Sequence, residues 1–322
     1  MGLHVVRFNK NHKVQWGVLF NNQIKVIRGS YATLAELLES GIEDVKSTHQ
    51  DDNAVIVSLK DVTILSPVTR PAQIVCQGAN YSAHRAEAGL DTKRPPFNMI
   101  FTKADSSLSA PNSDIICPEN VKLLDYEAEL GLIIGKNITA TTRITNDNLH
   151  EYVAGLVVAN DVSARDIQIP QGQWFKGKSY RTFCPTGPYL YLLEKEDVKE
   201  FLNLEVKLWV NDEERQTANT SQLIFKPDET LTELSEIMDL SVGDMVLTGT
   251  AGGVAMKLDK DVTEKIMNPL FRGAEKMKLF VESQMNNTKY LKSGDTIRCT
   301  IYSSDGTINL GEQVNKVVAT SK

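Results

Sequence analysis

From residue 67 onward the chain is broken into ten short apolar runs, at 74–76, 99–102, 115–117, 130–134, 153–159, 189–193, 204–210, 245–248, 297–301 and 314–318. Only two segments between them, 81–88 and 230–238, carry a clear helical pattern. Many short runs separated by turn signals cannot build a helical bundle; they predict a β-rich α+β domain. Asn211-Asp212 and Asp305-Gly306 are hairpin signals within it. Ahead of it, residues 3–8, 14–20 and 23–27 read as strands with a turn at Asn21-Asn22. A helix over 33–39 follows, with Thr33 as its N-cap and Gly41 near its end. Residues 42–60 are polar and mixed. We therefore divide the chain into a small N-terminal α+β unit, 1–66, and a main domain, 67–322, consistent with about two domains for 322 residues. Residues 255–292 are charged, rich in Met and Lys and roughly helical, and read as an insertion that caps a site or forms an interface.

Charge and cysteine usage exclude several classes of function. The formal net charge is −6, and Lys and Arg form no basic run, so nucleic acid is not an expected partner. No apolar stretch approaches the roughly 18 residues of a membrane helix. The N-terminus lacks the pattern of a signal peptide. Cys76, Cys117, Cys184 and Cys299 are far apart with no Cys-x-x-Cys, which fits reduced thiols and a cytoplasmic location rather than a zinc site or disulfide framework.

The chemistry sits in a few segments. In Asp125-Tyr126-Glu127-Ala128-Glu129-Leu130 the strand alternation puts Asp125, Glu127 and Glu129 on one face. Two charges 4 Å apart repel by about 4 kcal/mol at an effective dielectric of 20, and a divalent cation relieves that conflict. All-oxygen donors select hard ions, Mg²⁺, Mn²⁺ or Ca²⁺. Taken alone, the pair reads more readily as the solvated face of an edge strand. Asp161 ends the apolar run 153–159 and would complete a three-carboxylate site; alone, it reads as a helix N-cap. His84 and Glu87 fall at i and i+3, where a carboxylate can orient an imidazole for proton abstraction, or where the two make a plain surface pair. Lys178, between Gly177 and Ser179 and close behind aromatic residues, is either solvated or aimed into a cavity. The Gly-rich stretch 249–253 could offer N–H groups to a carboxylate but is not a nucleotide loop.

Taken in order, these segments resemble the fumarylacetoacetate hydrolase superfamily over residues 67–319. The matching stretches are Gly78-Ala79-Asn80-Tyr81 with His84 and Glu87, Phe101-Thr102-Lys103, Asp125 to Leu130, Asn160 to Asp166, Gly177-Lys178-Ser179, Thr182 to Pro188, Leu247-Thr248-Gly249-Thr250, and Lys292-Ser293-Gly294-Asp295. The resemblance implies a rolled mixed β-sheet, the FAH fold, behind a small N-terminal unit. It implies Mg²⁺ or Mn²⁺ on Glu127, Glu129 and Asp161, a catalytic Lys178, and His84 and Glu87 as a dyad on a closing lid. It also implies that Lys103, Gln168 and Thr250 contact the substrate, and that the protein is a homodimer or larger. The activity expected from it is metal-dependent hydrolysis of a C–C bond in a small 2-oxo acid of the acylpyruvate type. Oxaloacetate decarboxylation, dienoate isomerisation or dehydration, and a non-catalytic scaffold role are the alternatives. Arg165 and Arg181 join Lys178 and Lys103 as cations able to offset the substrate's charge. Arg181, Ala251 (where Pro is usual) and the length of the insertion depart from the family pattern and bear on the substrate.

Overall fold

The computed structural model describes residues 2–270 and 272–320. Its spine is an eleven-stranded mixed sheet. The N-terminal strands Leu3–Lys10, Lys13–Phe20 and Gln23–Val26 form a meander. Its turns, Asn11-His12 and Asn21-Asn22, have positive φ at both residues, the geometry whose twist matches that of the flanking strands. Helix Leu34–Ser40 starts as the sequence indicates, with the Thr33 side chain accepting from the Glu36 N–H. Helix Ile42–Gln50 and strand Ile56–Ser58 lie in the stretch that reads as merely polar. Only Val45 and Thr48 of that helix are buried, too narrow a stripe to set a helical period.

Strand Leu3–Lys10 pairs with Leu190–Leu192, so the N-terminal strands continue the main sheet. From there the order runs through Val153–Asn160, Ala128–Ile134, Met245–Leu247 and Ile74–Gly78 to Met99–Lys103. Among the described residues the two edge strands, Ile56–Ser58 and Met99–Lys103, do not pair with each other, and no barrel closes. A second sheet of five strands carries Leu204–Val210, Thr296–Ser303 and Asn309–Ala319 at its centre. The Asn211-Asp212 turn in it has both residues at positive φ, as its hairpin signal requires.

The strand Ala128–Ile134 is buried along its whole length because both faces are covered. Leu130 and Leu132 pack with Leu156, Leu208 and Ile301 between the sheets. Ile133 faces the other way, with Val157, Trp16 and Leu37. A strand covered on both faces loses the alternation of a half-exposed one and reads as an apolar run. Each fully buried Leu or Ile contributes roughly 1.5–3 kcal/mol, so this strand is a rigid support for whatever its N-terminal end carries.

Residues 255–292 hold two helices, Lys260–Met267 and Gly273–Gln284. The second packs against helix Arg165–Gln171. No helix of the described residues is long and apolar enough to cross a membrane.

Candidate active site

Strands Ala128–Ile134 and Val153–Asn160 are antiparallel with Ala128 opposite Asn160. That register brings the entry of one strand beside the exit of the other. The Asp161 N–H donates to the Glu127 carbonyl at 2.8 Å, and the Glu127 N–H donates to Asn160 Oδ1 at 2.9 Å. Carboxylate oxygens of Glu127, Glu129 and Asp161 consequently lie within 4.8 Å of one another, all buried. Asp161 caps no helix: the next one begins at Arg165, and Ala164 precedes it without a side-chain cap. Glu127 and Glu129 are not on a solvated edge either, being 4 % and 1 % exposed.

Buried like charges at this spacing require compensation. Lys178 Nζ donates to Glu127 Oε2 at 2.5 Å and to Asp161 Oδ2 at 2.6 Å. Lys103 Nζ pairs with the other Asp161 oxygen and donates to the Phe183 carbonyl at 2.9 Å. Arg165 forks between Asp125 Oδ2 at 2.8 Å, Glu127 Oε1 at 2.5 Å and Gln168 Oε1 at 2.9 Å. Against the cost of burial, Arg165 and Lys178 hold the Glu127 carboxyl well below the usual carboxylate range. Burial also opposes the Lys178 charge, but Asp161 and Glu127 outweigh it and push the ammonium up to about 12.

Glu129 differs from its neighbours. Among the described residues no cation pairs with it, and the Gly249 N–H is its one hydrogen-bond donor, at 2.8 Å. Burial, then the charges of Asp161 and Glu127, push its carboxyl well up. With all four carboxyls ionised, Asp125, Glu127, Glu129 and Asp161 carry one negative charge more than Arg165, Lys178 and Lys103 offset, and the rise at Glu129 reflects that excess. The donor set thus fits a divalent cation: its oxygens are hard, they converge, and one of them lacks a partner. With such an ion the balance becomes one excess positive charge, which suits an anionic substrate.

Glu127, Glu129, Lys178, His84, Gln168 and Thr250 all line one cavity of about 490 Å³. Asp161 and Lys103 are fully buried behind its floor. His84 is 6 % exposed, and its Nδ1 has no hydrogen-bond partner. Burial lowers its imidazole to about 4, which keeps it neutral. The structure does not join His84 to Glu87. The Glu87 carboxylate accepts from the Gly253 N–H at 2.8 Å and faces Lys257 at 3.9 Å, and it does not line the cavity. Arg181 is exposed and lies off the cavity.

The Gly-rich loop does offer N–H groups to carboxylates, but to the protein's own, Glu129 and Glu87. Gly249 has φ +89, and a Cβ there would sit 2.8 Å from Asn80 Cβ, so the loop needs glycine to aim that N–H.

Two residues of the site, Gln216 and Trp174, are not evident in the sequence, and Asp125, which strand alternation places beside Glu127, has a role that the sequence does not announce. Asp125 is fully buried and anchors Arg165. Gln216 donates to Thr250 Oγ1 at 2.8 Å and accepts from the Ala128 N–H at 2.9 Å, clamping the loop to the strand between Glu127 and Glu129. It lies 88 residues from Ala128, with no local signal. Trp174 lines the cavity and packs edge-on against Phe101, with ring centroids 5.1 Å apart. The aromatic cluster ahead of Lys178 is the one trace of it in the sequence.

Comparison with known proteins finds relatives that span most of the chain. Rat (Rattus norvegicus) mitochondrial oxaloacetate tautomerase Fahd2a is 35 % identical over 264 residues, covering 82 % of this chain and 72 % of the relative. Oxaloacetate tautomerase YisK of Bacillus subtilis is 36 % identical over 214 residues, 66 % of this chain and 69 % of its own. The solved structure of the fumarylacetoacetate hydrolase of Exiguobacterium antarcticum superposes with a TM-score of 0.75 at 30 % identity, covering 99 % of this chain and all of that one. The profile described as fumarylacetoacetate (FAA) hydrolase C-terminal matches residues 73–318, and the chain belongs to that family.

Proposed function

We propose that this protein interconverts the keto and enol forms of a small 2-oxo acid of the oxaloacetate class, with Mg²⁺ or Mn²⁺ held by Glu127, Glu129 and Asp161. The observation that carries the proposal is the convergence of three buried carboxylates, one of them uncompensated, with Lys178 and Arg165 at the floor of a cavity. The divalent ion supplies Lewis acidity that stabilises negative charge developing on the 2-oxo oxygen. Lys178 and Arg165 set the positive potential that draws in the substrate carboxylate. Gln168 and Thr250 orient it from the cavity wall. His84, neutral and lining the cavity, is the side chain we assign to take a proton from the carbon beside the 2-oxo group and return one to the oxygen.

Hydrolysis of a C–C bond, the reaction first expected from the sequence, asks for more. Its water-activating base needs Glu87 against His84, and Glu87 is engaged by Gly253 instead. A tautomerase needs no water and no second carboxylate. Its relatives bearing that name support the same choice.

The deciding assay follows the enol absorbance of oxaloacetate with metal-stripped and Mg²⁺- or Mn²⁺-reloaded protein, against metal alone, while pyruvate is measured in parallel. Relaxation accelerated by loaded protein only, without pyruvate, is the expected result. Pyruvate formed in step with enol loss would replace the proposal with decarboxylation. Faster cleavage of acetylpyruvate would restore hydrolysis.

Metal binding has its own test. Mg²⁺ at about 100 times its Kd is expected to stabilise the wild-type protein by about 2.7 kcal/mol. Glu129→Gln keeps an acceptor for the Gly249 N–H and should fold, but its melting temperature should no longer respond to Mg²⁺. An undiminished response would remove Glu129 from the ligand set.

A further inference from the structure

We propose that the outer part of the cavity is a subsite for an apolar arm of the substrate, so that the acid this chain handles carries a hydrocarbon extension beyond its reacting carbons. The inference rests on the reading of the cavity floor as a 2-oxo acid site. Polar groups converge at the floor. The remaining wall is formed chiefly by Leu90, Ile100, Ile169, Trp174, Leu258 and Ile266. At about 490 Å³ the cavity falls within the roughly 300–1,000 Å³ that holds drug-sized ligands, far more than a four-carbon diacid fills. An ionised group held against such a wall would lose its hydration without a partner. Lys276 is the one cation on that side among the described residues. It is half-buried, makes no ion pair among the described residues, and can lay its alkyl stem along the wall with its ammonium in water.

The wall is a built feature rather than a gap between loose segments. Helix Lys260–Met267 buries Thr263 and Ile266 while Met267 stays 68 % exposed at the outer side. Hydrogen bonds tie this segment to the helix that carries His84. The Leu258 N–H donates to the Glu87 carbonyl at 2.8 Å, and Thr263 Oγ1 donates to the Ala88 carbonyl at 3.0 Å. Leu258, Ile266 and Met267 of this wall come from 255–292, the segment whose length departs from the family pattern, and close it over Leu90, Ile100, Ile169 and Trp174.

Calorimetric titration of the Mg²⁺-loaded full chain with straight-chain 2-oxo acids, from pyruvate to 2-oxooctanoate, tests the subsite without relying on turnover. Kd is expected to fall roughly fourfold per methylene beyond the fourth carbon. Ile266→Asn should flatten that gradient. Met267→Gln, at an exposed position, should blunt it without disturbing the helix's buried side. A Kd that is constant or rises with chain length, or no binding of any of the acids, overturns the subsite. So does tighter binding of an acid ending in a second carboxylate than of its methyl-ended counterpart, if Lys276→Met abolishes the preference. Exchange of C3 hydrogens with D₂O, followed by NMR on the same acids, reports separately on enolisation. Exchange with a flat gradient keeps the tautomerase reading and removes the subsite. A gradient without exchange does the reverse.

Discussion

Glu127→Ala is expected to lose turnover and metal binding together and to lose roughly 3–5 kcal/mol of stability, the largest combined effect of any single change in the site. Glu127 is bonded to both Arg165 and Lys178, each at 2.5 Å, so its removal takes one partner from each of two buried cations at once. Asp125 still holds Arg165, and Asp161 still holds Lys178, which keeps the cost within the range for a broken buried pair. Outer contacts to metal ligands typically alter affinity by roughly 10–100-fold, and loss of a ligand should exceed that. Glu127→Gln separates the two effects. Its amide oxygen can accept from Arg165, but its NH₂ group meets the Lys178 ammonium, so part of the stability returns while the anionic donor is gone. Metal titration and urea unfolding on both variants give the answer. A Glu127→Gln protein that binds Mg²⁺ as tightly as wild type would sink the ligand assignment.

Much of the site is legible from the sequence because strand geometry does the placing. Glu127 stands just ahead of strand Ala128–Ile134 and still converges with Glu129, as alternation leads one to expect, and Asp161 follows an apolar run that forms a buried strand. Their convergence needs one further fact, the pairing of Ala128 with Asn160, which collinear motifs imply but no local rule supplies. The His84–Glu87 expectation shows where local rules stop. Spacing of i and i+3 puts two side chains on one helix face; it says nothing about competitors. Here the competitor is the Gly253 N–H, 166 residues further along the chain. Gln216 is hidden for the same reason. Helix Arg165–Gln171 carries Pro170 and has five buried residues, among them Arg165, Asp166 and Gln168, so neither its propensity nor its periodicity announces it. The charge balance of the site is legible only in part: Lys178, Lys103 and Arg165 are foreseen as cations, whereas the exposed Arg181 plays no part in it.

Asp125→Ala is expected to cost at least as much stability as Glu127→Ala, without removing a proposed metal ligand. Asp125 is fully buried and satisfies more than Arg165. Its carboxylate accepts from the backbone N–H groups of Ala255 at 2.8 Å and Met256 at 3.1 Å, where the segment 255–292 begins. The alanine variant breaks the buried pair with Arg165, at roughly 3–5 kcal/mol. It also leaves those two amides unpaired, at roughly 1–3 kcal/mol each. Against the 5–15 kcal/mol that usually separates folded from unfolded states, that is enough to threaten the fold at ordinary temperature. Asp125→Asn, which keeps one acceptor, is the milder probe. The two losses fall in different places and can be told apart by native-state hydrogen exchange. Loss of the charge pair alone speeds exchange throughout the protein in proportion to its global stability. Loss of the tie to Ala255 and Met256 speeds those two amides, and helix Lys260–Met267 behind them, beyond that common shift. Because Met256 lines the cavity and Arg165 touches Glu127, the second pattern would mean that one buried carboxylate sets both the charge at the floor and the position of the wall. Exchange at Ala255 and Met256 that merely follows the global shift in Asp125→Asn would show that the segment is held by its contacts with the His84 helix instead.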